Sequence, residues 1–304
     1  MPYPRDQLRS ALVGVVGFPV TPFREDLSLD LAALRTNLRT MLRQPLAAVV
    51  AAGGTGELYS LTPAEHRDVV RTVVQEADGK VPVIAGTGFN QSIGADLARQ
   101  AAECGAAGIL AFPPYYPAPE DDGIVAYYRA IGAATPLGLL VYSRDWFHPG
   151  PALVERLAAI PTLIGWKDGQ GDMRRLQIIR GQVGDRLHWI GGAGDDLVPA
   201  YYAQGIRAFT SSIANVSPEI AVQLHMAGSA GDAAALEGLM ADYVIPLYAL
   251  RARRKGYEVA VMKELMNVLG LGGGFVRPPL VPLRAEESRE LRALVPRWEK
   301  ASTA

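Results

Sequence analysis

Residues 137–167 read LGLLVYSRDWFHPGPALVERLAAIPTLIGWK and contain one complete structural unit. The apolar runs Leu137–Tyr142 and Leu163–Lys167 are short and bounded by turn residues, which favours buried strands. Between them, a segment that starts at Pro151 has the spacing of an amphipathic helix, and proline suits its first position. The order strand, helix, strand is typical of a parallel sheet whose strands are joined by crossover helices.

The same unit recurs along the chain. Helix-start signals lie between the strand candidates, for example at Thr62-Pro63-Ala64-Glu65, where a capping-box-like start is expected. Eight strands, each followed by a helix, favour an α/β fold of the (β/α)8 TIM-barrel type over an open doubly wound sheet. The six further strand candidates are Leu12–Val16, Ala47–Ala51, Val83–Ala85, Gly108–Ala111, Leu187–Ile190 and Ala208–Ser211.

After Gly228 the pattern changes, because residues 232–269 and 285–300 carry helical periodicity with no strand between them. We therefore predict a catalytic barrel domain over residues 1–228 and a C-terminal helical extension over residues 229–304. The extension contains a basic cluster, which is typical of a solvated helix face and is assigned no chemistry. The cluster consists of Arg251, Arg253, Arg254 and Lys255.

The composition excludes several classes of function. Thirty basic and 31 acidic residues among 304 give a net charge of −1, which provides no long-range field for nucleic acid or an anionic membrane. One cysteine and four histidines without ligand-like spacing indicate no metal site. No apolar run reaches the roughly 18 to 20 residues that span a bilayer, and no signal-peptide pattern is found. We expect a cytoplasmic protein.

In a barrel of this kind, the active site lies at the carboxyl ends of the strands. Lys167 ends the sixth strand, where desolvation would lower its pKa and leave an amine able to attack a ketone. A lysine that snorkels outward or pairs with Asp168 is an equally open interpretation. Tyr142 ends the fifth strand and could move protons beside the amine, although such a tyrosine is more often a core aromatic residue.

The loop Gly53-Gly54-Thr55-Gly56-Glu57 follows the second strand. Its glycines would let backbone amides approach an anion closely, and a tight turn without ligand is an equally open interpretation. The loop does not match a phosphate-binding P-loop, and Gly86-Thr87-Gly88 lacks the third glycine of a dinucleotide fingerprint. A nucleotide cofactor is therefore disfavoured.

With these residues in view, the chain resembles the dihydrodipicolinate synthase / N-acetylneuraminate lyase superfamily of Schiff-base-forming (β/α)8 lyases over nearly its whole length. The resemblance implies that Lys167 is the Schiff-base lysine, that Tyr142 is the acid/base tyrosine, and that no separate cofactor is used. The motifs that carry it are Phe18-Pro19-Val20-Thr21-Pro22-Phe23, Gly53-Gly54-Thr55-Gly56-Glu57, Pro114-Tyr115-Tyr116, Val141-Tyr142, Gly165-Trp166-Lys167-Asp168 and Ala214-Asn215-Val216.

The resemblance also assigns the surrounding groups. The loop at Gly53 and Gly54, together with Thr55, would bind the carboxylate of an α-keto acid. Thr55 and one of Tyr115 or Tyr116 would extend a proton relay, in many members across a subunit contact. A homodimer or homotetramer is therefore implied.

Departures from the synthase pattern indicate the subfamily. Gly54 replaces the first threonine of the synthase loop, and Phe147 stands where the synthase has an arginine that binds its second substrate. Other motifs instead resemble the 5-dehydro-4-deoxyglucarate dehydratases, which dehydrate and decarboxylate a six-carbon keto sugar diacid to 2,5-dioxopentanoate. These motifs are Gly53-Gly54-Thr55-Gly56-Glu57, Tyr142-Ser143-Arg144-Asp145, Lys167-Asp168-Gly169-Gln170-Gly171-Asp172, Arg254-Lys255-Gly256-Tyr257 and Val276-Arg277-Pro278-Pro279-Leu280. Tyr116 and Ala214-Asn215-Val216 look more like the synthase branch. The alternatives are dihydrodipicolinate synthase, a pyruvate-releasing aldolase, and a non-catalytic sugar-acid-binding protein.

A nearly neutral chain must capture a dianionic substrate with local donors. A guanidinium matches a carboxylate geometrically, so Arg144 is a candidate, and its pairing with Asp145 or Asp168 is an equally open alternative. The candidates for the substrate hydroxyls and the distal carboxylate are Ser143, Arg144, Ser211, Ser212 and Asn215.

Overall fold

The computed structural model describes residues 3–115 and 119–301. Its eight strands are all parallel and close in chain order, with β8 pairing to β1. This confirms the predicted (β/α)8 barrel. The strands are β1 Gly14–Gly17, β2 Ala48–Ala51, β3 Val83–Phe89, β4 Gly108–Pro114, β5 Gly138–Ser143, β6 Leu163–Asp168, β7 His188–Gly191 and β8 Ala208–Ser211.

The helix starts predicted at Thr62 and Pro151 are confirmed. The capping box at Thr62 and Glu65 is confirmed, with Pro63 at the first helical position. Side chains of Asp30, Asp172 and Ser217 likewise cap their helices. The barrel helices are α2 Leu31–Met41, α3 Pro63–Ala77, α4 Gln91–Glu103, α5 Asp121–Ala133, α6 Pro151–Ala158, α7 Met173–Val183, α8 Val198–Ala203 and α9 Pro218–Ala230.

A short helix, α1 Arg5–Ala11, precedes the first strand and was not predicted. Its Leu8 is fully buried in the cluster that fills the barrel interior, beside Ile84 and Leu110. A side chain on Gly108 would collide with Leu8, so the glycine leaves room for it. The helix therefore closes the barrel opposite the carboxyl ends of the strands, and burying Leu8 contributes about 1.5 to 3 kcal/mol.

The C-terminal extension is helical, as predicted. It comprises α10 Ala233–Leu239, α11 Ile245–Arg251, α12 Tyr257–Val268 and α13 Ala285–Ala301, with a π-turn over Met240–Val244 that joins the first two. The predicted domain boundary after Gly228 falls inside the last turn of α9, and the division into two domains stays a proposal.

The sequence analysis expected no membrane-spanning segment, but one helical run is long and apolar enough to be a candidate. By length and composition alone, Ala233–Arg251 could cross a bilayer, with mean hydropathy 1.3 and 28% of its window buried. Core helices of ordinary globular proteins pass the same test, and Val244, Leu247 and Leu250 of this run are buried in the protein core. This run is therefore weak evidence for a span.

Candidate active site

A cavity of about 630 Å³ opens at the carboxyl ends of the strands, where the barrel fold places active sites. Gly54, Thr55, Tyr142, Arg144 and Lys167 line it together. With Ser211 and Ser212, seven of the residues that the sequence predicted for the site are therefore brought into one space, although they come from the ends of four different strands.

Lys167 points into this cavity because β6 contains a register shift. Leu139 pairs with Leu163, but Leu140 pairs with Gly165, so β6 holds one extra residue at this point. As a result, Ile164 and Lys167 both face the barrel interior although three positions separate them. Strict alternation from Ile164 would have pointed the lysine outward.

The Lys167 side chain is buried, at 3% exposure, and Nζ donates a hydrogen bond of 2.8 Å to the carbonyl of Gly192. Burial lowers the pKa of Lys167 well below its usual value, and the positive charge of Arg144 lowers it further. Among the described residues no carboxylate lies within 4.0 Å of this amine, so it is not paired with Asp168. The Asp168 carboxylate instead accepts hydrogen bonds from the Tyr201 hydroxyl at 2.8 Å and from two backbone amides.

Tyr142 is also buried and faces the amine with its ring. The ring centroid lies 3.3 Å from Lys167 Nζ, and Phe112 packs edge-on against the ring at 5.2 Å. The phenol oxygen accepts a hydrogen bond of 2.9 Å from Arg144 Nη1. Burial raises the pKa of Tyr142, and the charge of Arg144 opposes that rise.

Arg144 therefore has two contacts inside the protein. Besides the bond to Tyr142, its Nε lies 3.5 Å from the carboxylate of Asp145. The pairing that the sequence left open is with Asp145 rather than Asp168. The Arg144 side chain is 40% exposed at the cavity edge, and its role toward substrate stays a proposal.

The glycine-rich loop is shaped by its neighbours. A side chain at Gly53 would come within 2.7 Å of the Phe18 ring, which explains the glycine. Glu57 adopts a left-handed conformation, with φ of 54°, and is fully buried in an ion pair with Lys263 of α12. Gly54 and Thr55, which lie between Gly53 and Glu57 in this loop, both line the cavity. Among the described residues, no hydrogen bond joins Thr55 to Tyr142.

The four remaining polar candidates have different positions. Ser211 and Ser212 line the cavity. Ser143 Oγ faces the backbone and donates to the carbonyl of Lys167 at 3.4 Å. Asn215 is a buried structural clip, since its amide donates to the carbonyls of Phe18 and Ser212. Neither Ser143 nor Asn215 is a described cavity-lining residue.

The two relay candidates after β4 do not complete the site in this single chain. Tyr115 is 82% exposed and is not among the described residues that line the cavity. Tyr116 lies outside the described residues. A relay through either tyrosine stays a prediction.

The cavity has a further wall that the sequence analysis missed. Arg251 of α11 was interpreted as part of a solvated face, but it is 8% exposed and lines the cavity with Asp195 and Tyr248. Arg253 and Arg254 do lie outside, paired with Glu290 and Glu287. The helical spacing could have identified Arg251, because it follows Leu247 and Tyr248 at intervals of four and three and so shares their face. Arg253 and Arg254 lie in the turn after α11.

Metal-ligand chemistry is sparse in the part of the chain that the structure describes. Within residues 3–115 and 119–301, no group of three or more histidine, cysteine, aspartate or glutamate side chains could hold a metal ion.

The fold and the cavity together define a (β/α)8-barrel enzyme built around a desolvated lysine at the end of its sixth strand. The model of the dihydrodipicolinate synthetase family matches residues 11–297, and the chain belongs to this family. The resemblance stated from the motifs is thus confirmed.

Curated relatives narrow the comparison. A protein of Bradyrhizobium diazoefficiens named probable 5-dehydro-4-deoxyglucarate dehydratase is 39% identical, over 96% of this chain and 94% of its own. A protein of the same name from Ralstonia nicotianae is 40% identical, over 93% and 92%. Among solved structures, dihydrodipicolinate synthase from Oceanobacillus iheyensis has a TM-score of 0.92 at 28% identity, covering 98% of this chain and all of the other.

Proposed function

We propose that this protein is a 5-dehydro-4-deoxyglucarate dehydratase, a lyase that converts its keto sugar diacid to 2,5-dioxopentanoate, carbon dioxide and water. The observation that carries the proposal is Lys167, a buried amine with a lowered pKa in a cavity that also holds guanidinium groups. The relatives named for this activity support the choice of substrate.

The first step is condensation. The amine of Lys167 attacks the C5 ketone, water leaves, and a protonated imine forms. The neighbouring C6 carboxylate would lie on the backbone amides at Gly54 and Thr55, which can approach it because Gly54 has no side chain. The imine then serves as the electron sink, so no separate cofactor is part of the proposal.

Elimination and decarboxylation follow from that sink. The imine acidifies the C4 hydrogens, Tyr142 or a water that it orients moves the C4 proton, and the C3 hydroxyl leaves as water. The new double bond is conjugated with the imine, so the C1–C2 bond can break, releasing carbon dioxide and leaving its electron pair on the conjugated system. Protonation and hydrolysis of the imine then return Lys167 and yield the semialdehyde.

One residue disfavours the synthase alternative. Phe147 occupies the position where the resemblance places an arginine for the synthase's second substrate. Its ring is buried at 2% exposure and packs against Trp166 and Tyr128. A carboxylate would find an apolar aromatic cluster there rather than a guanidinium.

Product analysis tests the proposed reaction. Incubation with 5-dehydro-4-deoxyglucarate should release carbon dioxide and 2,5-dioxopentanoate in equal amounts. Release of pyruvate would instead identify an aldolase and overturn the assignment. Failure of the wild-type protein to turn over any keto sugar acid would leave the binding-protein alternative.

Reductive trapping tests the lysine. Intact-mass analysis after borohydride treatment with a keto acid should show one adduct on the wild type and none on Lys167→Ala. Lys80→Ala, which removes an exposed lysine after α3, is the matched control and should form the wild-type adduct. An undiminished adduct on Lys167→Ala would exclude the Schiff-base mechanism at this residue.

The proposal also covers the oligomeric state and the cellular location of the protein. A homodimer or homotetramer would allow a tyrosine after β4 to reach the cavity of a neighbouring subunit. We place the enzyme in the cytoplasm. Sedimentation velocity of the full chain measures the assembly state directly.

A further inference from the structure

Arg251 ends α11 and is 8% exposed in the cavity wall. The loop after β7 connects this wall to the lysine. The carbonyl of Gly192 accepts the hydrogen bond from Lys167, and Gly194, two residues later, leaves no room for a side chain beside Tyr248. Lys167, Gly192, Gly194 and Arg251 all line the same cavity, so a substrate attached to Lys167 shares that space with Arg251.

The guanidinium of Arg251 is held in a fixed orientation. Nη1 donates a hydrogen bond of 2.8 Å to Ser212 Oγ, and the group lies 4.2 Å from the centroid of the Tyr248 ring. The Asp195 carboxylate holds both of these residues in place. It accepts a hydrogen bond of 2.7 Å from the Tyr248 hydroxyl and one of 3.2 Å from Ser212 Oγ. Arg251 is thus preorganised by side chains that are themselves buried or hydrogen-bonded.

Arg251 nevertheless makes no direct ion pair within the part of the chain that the structure describes. Among the described residues, no carboxylate oxygen lies within 4.0 Å of its guanidinium nitrogens, and its buried Nε has no hydrogen-bond partner. The guanidinium thus reaches a carboxylate only through the Ser212 hydroxyl and keeps a buried donor for direct pairing with an anion. The planar fork of donors matches a carboxylate.

The other cations at the cavity are less suited to this role. Arg144 already contacts the Tyr142 hydroxyl and the carboxylate of Asp145. Lys255 is exposed, so its ammonium keeps its hydration. Of the described cavity residues, Arg251 combines burial, fixed orientation and a free donor.

We propose that Arg251, supported by Ser212 and Tyr248, binds the distal carboxylate of the keto diacid and so selects dicarboxylic over monocarboxylic keto acids. This inference rests on the proposed function, because it assumes that Lys167 holds the keto end of the substrate. Arg251 is then a specificity-determining residue that binds the leaving carboxylate before the C1–C2 bond breaks.

Two six-carbon probes isolate the carboxylate. 2-Oxoadipate has the carbon skeleton of the proposed substrate without its hydroxyls, and 2-oxohexanoate has a methyl group in place of the distal carboxylate. Borohydride trapping at increasing probe concentration gives a half-saturation concentration for each. For the wild type, we expect the half-saturation concentration of 2-oxoadipate to be at least tenfold lower than that of 2-oxohexanoate.

Arg251→Met should raise the half-saturation concentration for 2-oxoadipate at least tenfold while that for 2-oxohexanoate changes less than twofold. Arg251→Lys keeps a charge in place and should retain part of the preference. Arg253→Met is the matched control, since it removes an exposed arginine paired with Glu290, and should behave as wild type.

Each result decides between distinct conclusions. A wild type without preference, or an unchanged preference in Arg251→Met, overturns the role of Arg251. An equal loss of both adducts in Arg251→Met and Arg251→Lys shows a structural role only and also overturns it. A wild type that forms no adduct with either probe overturns the proposed Schiff-base function instead.

Discussion

The Nζ atom of Lys167 lies 3.3 Å from the centroid of the Tyr142 ring, so the tyrosine presents its face to the amine and its hydroxyl to Arg144. The ring removes water from the amine, while its negative face would favour the protonated form. Burial and the charge of Arg144 prevail, and the pKa of Lys167 is lowered. In this arrangement the ring faces the amine, and the hydroxyl is the group to which we assign the proposed proton transfer.

Tyr142→Phe separates these two contributions. The phenylalanine keeps the ring face against Lys167 and loses only the hydroxyl, so the lysine should still form the trapped adduct. Loss of the acid/base group should lower kcat by about 10²- to 10⁴-fold. Steady-state assay of carbon dioxide release, together with trapping, measures both effects.

Tyr128→Phe is the control for this substitution. The Tyr128 hydroxyl is buried in α5 and has no hydrogen-bond partner among the described residues, so its removal should leave kcat unchanged. Equal kcat values for Tyr142→Phe and wild type would remove the hydroxyl from the mechanism.

Arg144→Met should change the pH dependence of kcat/KM. The arginine charge lowers the pKa of Lys167, so its removal raises that pKa and more of the amine is protonated near neutral pH. The acid limb of the profile, which reports the free enzyme, should therefore move to higher pH. An acid limb at the wild-type pH would show that Arg144 does not act on the lysine's charge state.

Lys167→Met should stabilise the protein at neutral pH. The folded-state pKa of Lys167 is below its unfolded value of roughly 10.4, so the unfolded chain binds an extra proton between the two values and wild-type stability rises with pH there. The advantage of the variant should be largest below the folded-state pKa and disappear above about pH 10.4. Urea midpoints of both proteins at several pH values measure it, and a pH-independent difference would show that packing rather than ionisation is responsible.

Much of the fold could be predicted because it depends on short-range patterns. Each strand run, and the capping box at Thr62 and Glu65, is encoded within a few neighbouring residues. Tyr142 and Lys167, at the ends of β5 and β6, could also be predicted to share one cavity, because parallel strands bring their carboxyl ends together.

What the sequence left open depends on contacts between distant segments. The register shift at Gly165, which points Lys167 inward, is set by pairing with Leu140 on another strand. Glu57 and Lys263 meet only when α12 packs against the loop after β2, so neither residue signals the pair alone. Arg251 ends α11 and lines the cavity, whereas Arg253 lies in the turn after that helix, a difference that a cluster of basic residues conceals.

The buried pair of Glu57 and Lys263 gives a stability prediction. Lys263→Met leaves the fully buried Glu57 carboxylate without its cation and should destabilise the protein by about 3 to 5 kcal/mol. The double variant Glu57→Gln with Lys263→Met removes the stranded charge and should recover part of the loss. Thermal midpoints measure this, and a single variant as stable as wild type would show that the pair contributes little.

Gly192→Ala tests how closely the lysine is confined. A β-carbon there would lie 2.6 Å from Lys167 Nζ and close to the backbone of Asp168, so the amine must move from its position beside the Tyr142 ring. A displacement of about 1 Å at a reacting atom costs about 10²-fold in rate, and we expect a loss of that order in kcat with a retained fold.

Gly181→Ala is the matched control, because its β-carbon would meet nothing within 4 Å and it lies inside α7. That variant should keep full activity and gain about 0.5 to 1 kcal/mol from helix propensity. Wild-type kcat in Gly192→Ala would mean that the amine works from a position other than the one held by the Gly192 carbonyl.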